Sequence, residues 1–351
     1  MKLDPRGDLV TLLTDIVDIE SVSGNERELA DAVEAALAPL PHLAVLRDGD
    51  TVVARTDLGR AERVVIAGHL DTVPVAGNLP ARISDGLVYG RGSCDMKGGV
   101  AVMLAVATQL TAPNRDLTWI FYDHEEVESA ANSLTRIAAQ RPDLLAGDFA
   151  VLMEPSNARV EGGCQGTLRF TVTTTGTAAH SARSWKGHNA IHDIGPVLDR
   201  LRDHVAEQPV VDGLRFHEGL NAVAISGGIA GNVIPDRATV TINYRFAPHR
   251  SVEQAKAYVR EVLAGFDLEV TDAAAGARPG LDRPAAAAFV EAVGGEPSAK
   301  FGWTDVARFS ALGVPAVNFG PGNPEKAHAD DEFCPVADLF RCRDALLRWL
   351  G

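Results

Sequence analysis

The chain has 351 residues, enough for about two domains, and 46% hydrophobic with 23% charged side chains is the balance of a globular protein with a real core. Its formal net charge of -14 argues against a nucleic-acid or anionic-membrane partner, and its longest apolar stretch, near 100–107, is far too short to span a bilayer. Cys94, Cys164, Cys334 and Cys342 form no C-x-x-C pair, and residues 1–8 lack the apolar core of a signal peptide, so a cytoplasmic protein with reduced thiols is expected.

Helical spacing of apolar residues predicts a helix over 9–19. Ser23-Gly24-Asn25-Glu26 predicts the start of a second, running to 37, with Ser23 as N-cap and Glu26 three residues later; Pro39 and Pro41 end it. Strands are expected at 51–55 and 64–67, the second being the apolar, β-branched run Val64-Val65-Ile66-Ala67 of a buried strand. It leads into Gly68-His69-Leu70-Asp71-Thr72-Val73-Pro74. An imidazole and a carboxylate two apart point to one side, at the carboxyl end of a strand, where open α/β sheets put their ligands. One can bind a metal while the other orients it. Gly90-Arg91-Gly92-Ser93-Cys94-Asp95 reads as a tight glycine-rich loop before a small-residue helix over 98–110. A buried strand at 117–122 delivers Asp123-His124-Glu125-Glu126, and another at 149–153 delivers Glu154-Pro155. The repeated order of strand, acidic loop and helix predicts an α/β domain with a mixed, largely parallel sheet flanked by helices.

After Gly166 the texture changes. Residues 168–175, 222–226 and 238–246 alternate apolar and polar side chains, 189–205 and 252–263 read as helices, and 268–271 as a last strand. This is the order of the ferredoxin-like α+β unit. Residues 273–280 look like a linker, and helix–strand alternation resumes beyond it. The expected division is a catalytic domain of 1–166 and 277–351 interrupted by an inserted domain of 167–276.

His69, Asp95, Glu125 with Glu126, Glu154 and, late in the chain, His328 are all metal-type ligands at strand ends or loops. A lone strand-end histidine is more often hydrogen-bonded in a turn, and a lone Glu-Glu pair is more often a solvated acidic turn; the combination is what points to metal. Imidazole and carboxylate are the usual non-thiol ligands of zinc, and so many suit two ions bridged by one carboxylate rather than one tetrahedral ion. Adjacent side chains cannot share one direction, so of Glu125 and Glu126 one can bind metal while the other serves as general base; spacing alone leaves open which. Gly90-Arg91-Gly92 fails as a dinucleotide fingerprint because the third glycine position is Asp95. No P-loop and no G-x-S-x-G elbow occurs, and Cys94 reads as a packed residue rather than a nucleophile.

The stretches 68–74, 90–99, Asp123-His124-Glu125-Glu126, Met153-Glu154-Pro155 and His328 resemble, in order, those of the di-zinc aminoacylase and carboxypeptidase family of amidohydrolases, and they cover essentially the whole chain. The resemblance implies a zinc-exopeptidase-like catalytic domain and an inserted lid that is also the interface of a homodimer. It implies two Zn2+ per chain, with Co2+ able to substitute. His69 and Glu154 would bind one ion, Glu126 and His328 the other, and Asp95 would bridge. Asp71 would orient His69 through its far nitrogen, Glu125 would be the base, and a cis peptide would follow Asp95. His180 would reach a partner's active site and stabilise the oxyanion. Asn232, Arg245, Thr304 and Arg308 match substrate-contact positions, and Arg183 could grip a substrate carboxylate. The substrate would be a small N-acyl amino acid. Ala179-His180-Ser181-Ala182-Arg183-Ser184-Trp185 and Glu125-Glu126-Val127-Glu128 carry a narrower match within the family, which implies that succinate is removed from 2,6-diaminopimelate. Trp303, where many relatives carry glycine, departs from the pattern. Sister deacylases and carboxypeptidases with another pocket are the rival reading, and a metal-free binding protein on this fold is the remote one.

Overall fold

The computed structural model describes residues 2–351. The chain forms two compact units, one of Met1–Gly162, Pro279–Ser298 and Thr304–Gly351, the other of Gly163–Arg278 and Ala299–Trp303. The second unit begins at 163 and runs to 278, a few residues beyond the expected 167–276 at each end, and two further details differ from the sequence expectation. The last strand of the second unit, Leu268–Ala274, runs into the stretch expected as linker. Residues 299–303, expected in the catalytic domain, group with the second unit: Ala299 packs with Val211, Phe216 and Ala247, and Trp303 Nε1 donates to Ala275 O at 3.1 Å.

The first unit is built on a mixed sheet. At its centre the strands Asp116–Tyr122, Arg63–His69, Phe149–Leu152 and Ala316–Asn318 run parallel in that spatial order. They are apolar and almost entirely buried, as strands covered on both faces must be. Thr51–Arg55 and Ala44–Asp48 extend the sheet antiparallel on one side. The helix Lys97–Gln109 packs between Leu9–Asp18 and the carboxyl-terminal helix Val336–Leu350 and is buried on nearly every side. Its small residues permit this: a Cβ on Gly99 would lie 2.4 Å from Met153 O. Around Phe149, the rings of Phe289, Trp349 and Phe319 interlock at centroid distances of 4.6 to 5.9 Å, pairs of the kind that contribute about 0.5–1.5 kcal/mol each beyond area burial.

The second helix begins at Arg27, with Glu26 at the capping position and no side-chain cap. Ser23, expected as the cap, lies in a turn that follows the parallel bridge of Val22 with Thr72, and its hydroxyl instead donates to Asp71 Oδ2 at 2.7 Å. The first helix ends against Lys97, whose Nζ donates to Ile19 O at 2.7 Å; burial pushes this ammonium down to about 7.

Asp116 shows how a buried carboxylate organises the far end of the sheet. It accepts from Thr56 Oγ1 at 2.9 Å and from the amides of Leu58 and Arg60 at 2.8 Å each. Burial pushes its carboxyl up, but these bonds outweigh burial and hold it below the usual range. Its contribution is therefore present above the unfolded pKa of about 3.9 and is lost as pH falls through the folded value. Asp116→Ala is expected to lower stability by about 2–4 kcal/mol through three unpaired donors, and Asp116→Asn to flatten the acid limb of a stability profile; urea unfolding between pH 3 and 7 measures both.

The second unit carries a four-stranded antiparallel sheet in the order Gly219–Gly227, Arg237–Phe246, Gly166–Thr175, Leu268–Ala274. Ala190–Asp203 and Val252–Val262 pack on one face, over Leu168, Phe170, Val172, Val240 and Ile242. Asn189 caps the first of these helices, and Ser251 with Gln254 makes a capping box on the second. Gly219–Gly227 is an edge strand, and Val223 and Ile225 on it are exposed.

Candidate metal centre and active site

Three neighbouring parallel strands end at the same edge of the first unit's sheet, and each delivers ligands there. His69 is the last residue of Arg63–His69. Glu125 and Glu126 follow Asp116–Tyr122, and Glu154 follows Phe149–Leu152. Asp95 comes from the glycine-rich loop, where Gly92 has φ +80 and a Cβ would lie 2.6 Å from Thr72 Cγ2, so only glycine fits. The Asp95–Met96 peptide is cis. His328 follows the short turn Pro324–Lys326.

These side chains converge. Donor atoms of His69, Asp95 and Glu154 lie within 4.8 Å of one another, as do those of Asp95, Glu126 and His328, and those of His69, Glu125 and Glu126. His69 Nε2 is 3.2 Å from Asp95 Oδ1, and His328 Nε2 is 3.5 Å from Asp95 Oδ2 and 2.9 Å from Glu126 Oε1. Asp95 therefore turns one oxygen to each imidazole.

The electrostatics call for cations. Burial pushes the His69 imidazole down, but the Asp95 hydrogen bond and the charges of Asp71, Glu154 and Asp95 raise it well above its ordinary value. Hydrogen bonds to Asp95 and Glu126 push His328 up to about 10. Burial pushes Asp95 up, yet the two imidazoles hold it far below the usual carboxylate range. The positive charge that these protons supply is what divalent ions supply in a site of imidazole and carboxylate donors. The donor set thus fits a dinuclear centre that shares Asp95.

Glu125 stands apart from the pairs with histidine. Burial pushes its carboxyl well above the carboxylate range; His69 pulls it down, and Asp305, Glu154 and Glu126 add to the rise. Such a carboxylate holds a proton more readily than a solvated one.

Asp71 differs from its expected part. His69 Nδ1 lies 2.9 Å from the main-chain oxygen of Asp71 and 3.6 Å from its carboxylate, beyond hydrogen-bond reach. The backbone carbonyl accepts from Nδ1, so Nε2 is the nitrogen that faces Asp95, donating to it here and available as a ligand once deprotonated. The carboxylate is engaged elsewhere, accepting from the amides of Glu125 and Glu126 at 2.9 Å each and from Ser23. Asp71 thus holds the turn that carries both glutamates. Ser23 escapes sequence reasoning as part of this support because its pattern matches a helix cap.

Thr304 is buried, and its hydroxyl donates to Asn318 Oδ1 at 2.9 Å. The Arg308 guanidinium is engaged by Asp305, Thr135 and Ser129. Asp305, wholly buried, also accepts from Tyr122 Oη and Asn132 Nδ2. Thr304 and Arg308 therefore have partners that hold the loop to the sheet edge.

His180, Arg183, Asn232 and Arg245 belong to the second unit and are exposed. His180 pairs with Val233, and Ser181 N donates to Asn232 O, so His180 and Asn232 stand side by side. His180 Nδ1 accepts from Ala182 N at 3.1 Å, which leaves the Nε2 proton of the neutral ring free to donate. Arg245 and Arg169 occupy diagonal positions on one sheet face.

Residues 65–351 match the family model Peptidase family M20/M25/M40. The chain is 55% identical over 352 residues to a Mycobacterium tuberculosis protein named "Putative succinyl-diaminopimelate desuccinylase DapE", covering 99% of each. It is 47% identical over 360 residues to a succinyl-diaminopimelate desuccinylase of Corynebacterium glutamicum, covering 99% of this chain and 98% of that one. Among solved structures, a tripeptidase from Staphylococcus aureus superposes with a TM-score of 0.81 over 100% of this chain and 98% of that one, at 20% identity. A family model spanning most of the sequence, relatives alike from end to end and a shared fold have one reading: this chain is an enzyme of the M20/M25/M40 peptidase family.

Proposed function

We propose that the protein hydrolyses N-succinyl-LL-2,6-diaminopimelate to succinate and LL-2,6-diaminopimelate, a step of lysine and diaminopimelate synthesis, and does so in the cytoplasm. The convergence of His69, Asp95, Glu126, Glu154 and His328 at one sheet edge carries the hydrolytic part of this reading. The two desuccinylase relatives of near-full coverage support the substrate. All four cysteines are buried and outside any disulfide, which suits a reducing compartment, and no helix among the described residues is long and apolar enough to cross a membrane.

His69 and Glu154 would hold one Zn2+, Glu126 and His328 a second, with Asp95 shared, and the ions when bound would polarise the amide carbonyl and lower the pKa of water. Glu125 takes a proton from the attacking water and returns it to the leaving amine. Asp71 keeps Glu125 in place through its amide. The Nε2 proton of His180 from a partner subunit stabilises the oxyanion. The exposed edge strand Gly219–Gly227, with Val223 and Ile225, suits pairing with its own copy in a homodimer. Arg183 would grip a substrate carboxylate, a guanidinium offering a bidentate hold, and Asn232 and Arg245 would contact the substrate. For Thr304 and Arg308, the buried partners support a loop-holding part.

The test is a panel of N-succinyl-diaminopimelate, N-acetylornithine and acyl or peptidyl amino acids, run with added Zn2+. Preference for the succinylated diamino acid by about 10²-fold or more in kcat/KM is expected, since unpaired polar groups are rejected strongly. Preference for an acetylated or peptidyl substrate would transfer the protein to a sister activity.

A further inference from the structure

The glycine-rich loop and the loop of His328 are tied together by a buried pair that none of the chemistry above uses. Glu332 is 1% exposed and Arg91 3% exposed. Glu332 Oε1 accepts from the amides of Cys94 and Asp95, at 3.0 Å each. Its Oε2 accepts from Arg91 Nη1 at 2.9 Å. Arg91 in turn donates through Nε to Pro74 O at 3.0 Å and through Nη1 to Ala329 O at 3.2 Å. One ion pair therefore grips the segment after His69 and Asp71, the segment of Asp95, and the segment of His328.

The local fold explains how the pair is aimed. Phe333–Pro335 pairs antiparallel with Leu87–Tyr89, Phe333 opposite Tyr89, and Gly90 N donates to Glu332 O at 3.2 Å. This register brings the residue just before the first strand against the loop just after the second. The Glu332 side chain then meets the amides of Cys94 and Asp95 from behind, while the Asp95 carboxylate faces His69 and His328 on the other side. Both carboxylate oxygens are hydrogen-bonded, so the buried charge is satisfied.

We infer that the Arg91–Glu332 pair is a positioning device for metal binding: it sets the place of Asp95 against His328, so that one carboxylate can serve both ions. The inference rests on the dinuclear reading above. Neither side chain belongs to the candidate ligand groups. Removing partners at this remove from a metal typically lowers affinity or activity by about 10–100-fold.

The test uses full-length Glu332→Gln and Arg91→Lys. In Glu332→Gln the side-chain carbonyl oxygen would still accept from the two backbone amides, but the new NH2 group would confront the Arg91 guanidinium. In Arg91→Lys the charge would be kept, but a single ammonium would not reach Pro74, Ala329 and Glu332 together. Zn2+ affinity of chelator-treated protein is measured by competition with a chromogenic chelator, kcat and KM at saturating Zn2+, and thermal unfolding in chelator. The expected result is Zn2+ affinity weaker by about 10–100-fold and a lower kcat with little change in KM, the loss being larger for Glu332→Gln. Variants that unfold earlier in chelator yet bind Zn2+ and turn over as the wild type does would overturn the inference, since the pair would then serve stability alone. Failure of both variants to fold would overturn it too, making the pair a folding determinant. Wild-type protein that binds no Zn2+ would instead sink the dinuclear reading, a separate outcome.

Discussion

Glu125→Gln is expected to keep the metal content of the wild type and to lose about 10²–10⁴-fold in kcat, the usual share of a positioned general base. The substitution preserves shape, and the backbone amide at this position still donates to Asp71 Oδ1, so the turn should stay in place. The proton shuttle is what disappears. Metal analysis beside steady-state kinetics checks both halves, and near-normal turnover would remove Glu125 from the mechanism. The same variant also tests the dimer. Mixed with His180→Ala and allowed to exchange subunits, it should recover about a quarter of wild-type activity. Half of the dimers are then mixed, and each has one site with an intact Glu125 and the other chain's His180. No recovery from dimers that do exchange would place His180 outside the partner's site.

Asp95→Ala should be more damaging to binding. Asp95 is the one residue common to the His69–Glu154 and the Glu126–His328 groups. Without it, His69 and His328 face Glu154 and Glu126 with no carboxylate between them. We expect metal content to fall below one ion per chain and kcat/KM to fall by more than about 10³-fold, because carbonyl polarisation and water activation go together. A second readout is thermal. Zn2+ at a hundred times its Kd stabilises a folded protein by about 2.7 kcal/mol, so the wild type should show a Tm that climbs with Zn2+ and Asp95→Ala one that barely moves. A variant that still loads two ions would show that Asp95 is not shared.

The parts of the site legible in the amino-acid sequence are those that local pattern announces. A β-branched apolar run ending in His69, or in Asp123-His124-Glu125-Glu126, is a buried strand with a polar terminus, and parallel strands bring their carboxyl ends to one edge. The alternating strands and amphipathic helices of the second unit are legible for the same reason. What local pattern does not announce is which distant group a carboxylate will meet. By spacing, the Asp71 side chain pairs with its neighbour two residues back, whereas only its main-chain oxygen does so and its carboxylate oxygens meet the amides of Glu125 and Glu126, far along the chain. Ser23 fits a capping box but answers to Asp71. Glu332 and Arg91 carry no pattern beyond a charge near a ligand, since their pairing depends on the register of two three-residue strands. Thr304 and Arg308 match substrate contacts in sequence, but the fold gives them Asn318 and Asp305 as neighbours.

The interrupted layout of the first unit has a consequence for biosynthesis. Ala316–Asn318 completes the parallel core by pairing with Phe149–Leu152, but the whole of Gly163–Arg278 lies between them in the chain. As the polypeptide leaves the ribosome, amino end first, one flank of Phe149–Leu152 stays bare and sticky until residue 318 has emerged. Over that interval the nascent chain already owns His69, Asp95 and Glu154, whereas Glu126 waits for His328.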